Sequence, residues 1–160
     1  MTKNKGFTLV ELLAVLIILS LILFIVAPNV LKMIERGKKQ RFVADAEEMI
    51  SLAKYKSKLE KYESLFVPSG DDCYVITMNN LGFEKTEDAN GYTYDRSNSS
   101  VKYCFENNRQ VFYITLISSD GNNSMSINNV KEDSLSIGSV NWQYINTWYK
   151  KNIWYNKIVK

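Results

Sequence analysis

The chain has 160 residues, 46% of them hydrophobic, with 20 Lys and Arg against 17 Asp and Glu. That length accommodates one membrane segment and one modest domain but not two cores, and a formal charge of +3 points to no strongly acidic or basic partner. The absence of histidine excludes imidazole acid/base catalysis, His-containing triads and His metal ligands.

The first element is an apolar run. From Phe7 to Ala27 the one formal charge is Glu11, in a segment long enough at 1.5 Å per residue to cross a bilayer core of about 30 Å. A carboxylate near the end of such a helix loses hydration worth several kcal/mol unless it is paired. Its neighbours at helical spacing, Phe7, Thr8, Ala14 and Val15, carry no side-chain cation. Cleavage between Gly6 and Phe7 would supply one. It would release residues 1–6 and leave an α-ammonium on Phe7, ready to pair with Glu11 of a neighbouring copy, and that pairing predicts a polymer.

The run GFTLVELLAVLIILSLILFIVAP, starting at Gly6, closely resembles the amino-terminal signature of type IV prepilins and pseudopilins, over Lys5 to about Pro28. The resemblance implies a prepilin peptidase that cuts after Gly6 and N-methylates Phe7, with Glu11 guiding assembly. It also implies, as partners, further copies of the chain in a helical filament, the pilus assembly machinery, and membrane lipid before assembly. The expected location is the cytoplasmic membrane, crossed once, and then an extracellular filament. An ordinary secretory signal would have a shorter apolar core followed by a small-x-small site, whereas this one ends Val26-Ala27-Pro28-Asn29. A plain anchor has no use for Glu11 or Gly6-Phe7. Flanking charge disagrees with the implied orientation: Lys3 and Lys5 precede the span, but Lys32, Arg36, Lys38, Lys39 and Arg41 follow it. The leader resemblance and the downstream cysteines outweigh that count. Loss of the leader lowers the formal charge from +3 to +1 by removing Lys3 and Lys5.

Pro28 lies within what reads as a continuing helix. It has no N–H for the carbonyl of Phe24, and its ring crowds that carbonyl, so a kink or loosened turn is expected, with Gly37 a second weak point. In the resembling family a proline here goes with a helix that partly melts on leaving the membrane; a simple kink at the membrane surface is the alternative. Residues 28–63 form the amphipathic half: Phe42, Val43, Ala46, Met49, Ile50, Ala53 and Leu59 recur near helical spacing, with Lys38, Lys39, Arg41, Asp45, Glu47, Lys54 and Lys58 on the other side. The helix is expected to end between Lys58 and Ser64, before Val67-Pro68 and the Ser69-Gly70 turn.

Residues 64–160 read as a β-rich globular domain. Alternating runs at Cys73–Met78, Tyr92–Tyr94, Ser100–Phe105, Gln110–Ser118 and Ser124–Ile127 are separated by Asn, Asp, Gly and Ser clusters, with hairpin connections at 106–109 and 119–123. Val101, Tyr103 and Phe105 share a face, as do Phe112, Ile114 and Leu116, and residues 79–98 read as a loop. The expected fold class is α+β, a pilin-like long N-terminal helix packed on a C-terminal antiparallel sheet. Cys73 and Cys104, the only cysteines, fall in the part placed outside the membrane at a spacing unlike CxxC. They are expected to form a disulfide across neighbouring strands, about 5 to 6 Å apart at Cα; two free thiols are the alternative.

The tail 141–160 crowds Trp142, Tyr144, Trp148, Tyr149, Trp154 and Tyr155 among lysines. Stacking on single-stranded nucleic acid or a glycan is possible chemistry for such a stretch but otherwise unsupported; core closure and subunit packing explain it better. It reads equally as a short helix or a final strand. Asp71-Asp72 and Asp120-Gly121-Asn122-Asn123 offer oxygen ligands of the calcium type without EF-hand spacing, and turn chemistry explains both. No nucleotide-binding glycine loop or serine elbow occurs, so neither an enzyme nor a cofactor is expected. The leading function is a structural subunit of a type IV pilus or pilus-like filament serving adhesion, motility or aggregation. The alternative is a pseudopilin or minor pilin of a type II secretion or DNA-uptake machine.

Overall fold

A computed structural model describes residues 8–70 and 72–144. The chain divides into two compact units, residues 1–37 and 38–160, and helix α1 (Leu9–Ser57) supplies part of each. The layout is α+β: α1, then an antiparallel sheet of strands β1 (Val67–Pro68), β2 (Cys73–Thr77), β3 (Thr93–Tyr94), β4 (Ser100–Glu106), β5 (Arg109–Ser119), β6 (Asn123–Lys131) and β7 (Asn141–Tyr144).

In the first unit Pro28 lies inside helix α1, which continues past it although the Phe24 carbonyl receives no backbone N–H from it. Two polar side chains in or next to the apolar run bond back to the preceding turn. Ser20 Oγ donates to the Leu16 carbonyl at 2.7 Å and Asn29 Nδ2 to that of Ile25 at 3.3 Å. Such bonds hide polar groups that hydrocarbon could not satisfy.

In the second unit the strand order is β1-β2-β4-β5-β6-β7, with β3 paired to the far end of β5. The four strands from β4 to β7 form a meander, which sequence-adjacent hairpins build without crossovers. Asn107 and Asn108 close the first hairpin with φ of 49° and 64°, the left-handed pair that matches strand twist and that asparagine tolerates. Between Ile114 and Leu116 the register of β6 slips by one residue, and Asn129 takes up the excess at φ 47°, its N–H bonded to Thr115 Oγ1.

The helix–sheet core forms because two periodicities meet. Phe42, Ala46, Met49, Ile50 and Ala53 project from one face of α1; Ile76, Val101, Ile114, Leu116, Met125 and Ile127 project from one face of the sheet, and all are almost fully buried. Each such large side chain contributes about 1.5 to 3 kcal/mol on burial.

Three expectations need correction. The α-helix stops at Ser57, and residues 60–65 continue as a 3-10 turn, so Leu59 lies outside the helix and is only half-buried. Phe105 does not join the core: it is 48% exposed, one pair from the hairpin turn and opposite Gln110, and stacks edge-on against Tyr103. Residues 79–98 are more than a loop. Their Leu81, Phe83 and Tyr94 are buried, with Tyr94 lying between the rings of Phe42 and Phe83.

Asp45 is the fourth departure. The hydrophobic pattern assigns it to the polar side of α1, but it is 4% exposed. A buried carboxylate needs partners, and it has two: Tyr94 Oη donates to Oδ2 and Lys85 Nζ to Oδ1, each at 2.6 Å. Lys85 also bonds Glu48 at 2.6 Å. The two carboxylates hold the Lys85 ammonium above the ordinary lysine range, and burial, followed by the Asp45 hydrogen bond, pushes the Tyr94 phenol far up. A raised lysine stabilises the fold fully below its unfolded value and loses that contribution only as pH climbs through the folded one, so this clasp is intact across the neutral range. Tyr94→Phe is expected to cost about 1.5 to 3 kcal/mol in urea unfolding, because it strips a hydrogen bond from a buried charge. Lys85→Met should cost less, since the lysine side chain is 46% exposed. A Tyr94→Phe variant as stable as the wild type would show that Tyr94 acts by packing alone, since phenylalanine keeps the ring contacts.

Candidate functional site

The chemistry-bearing part of the first unit is its beginning. Gly6 and Phe7 lie outside the described residues. Thr8 is the N-cap of α1, its carbonyl accepting the Leu12 N–H at 3.2 Å. Glu11, three residues on, closes a reciprocal box. The Thr8 N–H and hydroxyl each donate to Glu11 Oε2 at 2.9 Å, and the Glu11 N–H reaches Thr8 Oγ1 at 3.3 Å. The acid thus answers the Thr8 N–H, and Thr8 Oγ1 answers a first-turn N–H that has no intrahelical acceptor, at the end of the helix where the dipole favours negative charge.

Thr8 is a neutral partner, so no charge pattern marks it, but Thr8-Leu9-Val10-Glu11 has the S/T-x-x-E spacing of a capping box. The described bonds occupy one carboxylate oxygen, so Oε1 can still accept from a cation brought by another molecule.

Beyond Glu11 the helix offers apolar side chains in every direction. Leu9 is 82% and Phe24 84% exposed, and the large apolar side chains from Leu12 to Ile34 are also exposed in the isolated chain. The helix is long and apolar enough to cross a membrane, by length and composition. A stripe on one face would suit a protein core; apolarity all round suits lipid or a bundle of like helices. Pro28 sits near the end of this stretch, inside the helix.

In the second unit Cys73 and Cys104 are bonded. They face each other across β2 and β4, as the reasoning from alternation requires, with Cα atoms 4.1 Å apart. That is closer than expected because the neighbouring bond from Phe105 N–H to the Asp72 carbonyl makes this a non-hydrogen-bonded pair, the narrow kind.

Of the calcium-type clusters, the one at Asp120 is otherwise engaged. Asp120 Oδ1 accepts the N–H of Asn122 and of Asn123 and Oδ2 the Asn123 amide, contacts that lower its pKa and build the β5–β6 turn. Asp71 lies outside the described residues. Asp95 is used in the same way, accepting from Ser97 and Asn98. Of the aromatic tail, Trp142 is described: it packs on the core, with Lys38 Nζ 6.0 Å from its ring centre. Residues 145–160 lie outside the described residues.

Residues 1–27 match the family model for the prokaryotic N-terminal methylation motif, the signature of type IV pilins. No curated protein and no solved structure matches the chain.

Proposed function

We propose that this chain is a structural subunit of a type IV pilus or pilus-like filament, held in the membrane by residues 7–27 and assembled after prepilin peptidase removes residues 1–6. The observation that carries the reading is the methylation motif at residues 1–27 coinciding with an apolar helix whose first turn holds Glu11. Cleavage after Gly6 places a new α-ammonium on Phe7, and Glu11 Oε1 of an adjacent copy is the acceptor for it. Adhesion, motility or aggregation follows from the filament. The pseudopilin reading shares each of these steps and differs in the machine served.

On this reading the apolar helix passes from lipid to the filament interior, exchanging one apolar surrounding for another. Pro28, which leaves the Phe24 carbonyl without its backbone N–H, is the point where α1 unwinds most easily on the way. The partners are other copies, the peptidase and the assembly machinery.

Processing is tested directly. Filament material should give an amino-terminal sequence beginning Phe7-Thr8-Leu9, and Gly6→Val should leave precursor in the membrane, since a branched side chain hinders the cleavage cleft. Filaments that begin at Met1 would overturn the reading.

A further inference from the structure

The cations after the span remain unexplained by the assembly reading. Residues 32–41 carry five Lys and Arg against one acid, Glu35, whereas residues 42–160 carry thirteen against fifteen Asp and Glu. Positive charge is concentrated where the apolar run ends, and the rest of the chain beyond it is close to balanced. Lys32 and Arg36 are exposed, four residues apart on α1 and so on one helix face. They follow Ala27 by about 8 Å and about 14 Å along the helix axis. Headgroups occupy roughly 5 to 8 Å beyond the hydrocarbon, and screening acts over about 10 Å at 0.1 M salt, so both ammonium and guanidinium lie within reach of lipid phosphate.

We propose that Lys32 and Arg36 bind the headgroups of acidic phospholipids at the end of the span that follows Ala27, holding the subunit at that surface before assembly. The inference rests on the membrane stage of the function proposed above. It accounts for cations that a flanking-charge count would put on the cytoplasmic side: their position follows the lipid they contact. Lys32 supplies a point charge in the headgroup layer. Arg36, with its planar fork, reaches phosphate from just above it.

The test distributes the full chain between nanodiscs of phosphatidylcholine alone and nanodiscs containing phosphatidylglycerol. Each cation near an anionic surface favours it about fivefold, so the double variant Lys32→Gln with Arg36→Gln should lose roughly 25-fold of the wild-type preference at low salt. Lys3 and Lys5 are common to both proteins and cancel. Lys32→Arg should keep the preference, and high salt should compress it for the wild type. An unchanged preference in the double variant overturns the proposal. So does an unchanged preference with reduced filament yield, which would assign the two cations to a neighbouring copy. Failure of the wild-type chain to enter either disc would overturn the span itself, and the lipid contact with it.

Discussion

Glu11→Gln is expected to abolish filaments or reduce them to a trace while leaving the second unit folded. The substitution separates the two roles this side chain can have. Glutamine still serves at the third position of a capping box, so the Thr8 bonds and the helix start survive. It cannot neutralise the Phe7 ammonium of an adjacent copy, and an unpaired charge in a low-dielectric bundle costs several kcal/mol at every contact. Glu11→Ala should fail at least as completely, because it also removes the cap, worth about 1 kcal/mol. Thr8→Ala removes only the cap and should be mild. Filament yield by electron microscopy and shear fractionation, with circular dichroism to check the fold, decides between them. Normal yield from Glu11→Gln would sink the ion-pair account.

Replacing Cys73 and Cys104 by serine should carry the other large effect, on stability. The bridge joins residues 31 apart in sequence, at facing positions of β2 and β4. Cross-linking a loop of that size stabilises a domain by about 3 to 4 kcal/mol, chiefly by restricting the unfolded chain. For a domain of this size that corresponds to a fall in Tm of roughly 10 to 20 °C. Calorimetry of the double variant measures it. Labelling the denatured, unreduced wild type should find no reactive sulfhydryl; two would mean that the bridge does not exist in the folded protein.

How much of this was legible in the sequence depends on the range over which each signal acts. Helix α1 and strands β2 to β6 are written in local periodicity, and the hairpin turn at Asn107-Asn108 in the residue types that tolerate positive φ. Strand β1 was missed because Val67-Pro68 reads as the stop after the helix, and β7 lies in a tail whose pattern fits a short helix and a final strand equally well. Asp45 was misplaced for a different reason. Hydrophobic pattern assigns a lone acid to solvent, and only the fold brings Tyr94 and Lys85, 49 and 40 residues away, to its two oxygens. The candidate site shows the same division. Glu11 stands out as a charge in an apolar run, whereas the hydroxyl that bonds it, on Thr8, is neutral and leaves no mark in a charge pattern.

The sheet's β1 edge has a consequence for a protein proposed to polymerise. Exposed strand edges are templates for pairing with another chain, and subunits crowded in a membrane or stacked in a fibre would meet edge to edge often. Here that edge is two residues long, and one of them, Pro68, has no N–H to offer. A newcomer strand finds almost no ladder to extend. Growth by β-addition at this edge, which would yield disordered aggregate, is thereby disfavoured, and self-association through the apolar helix meets no such competitor there.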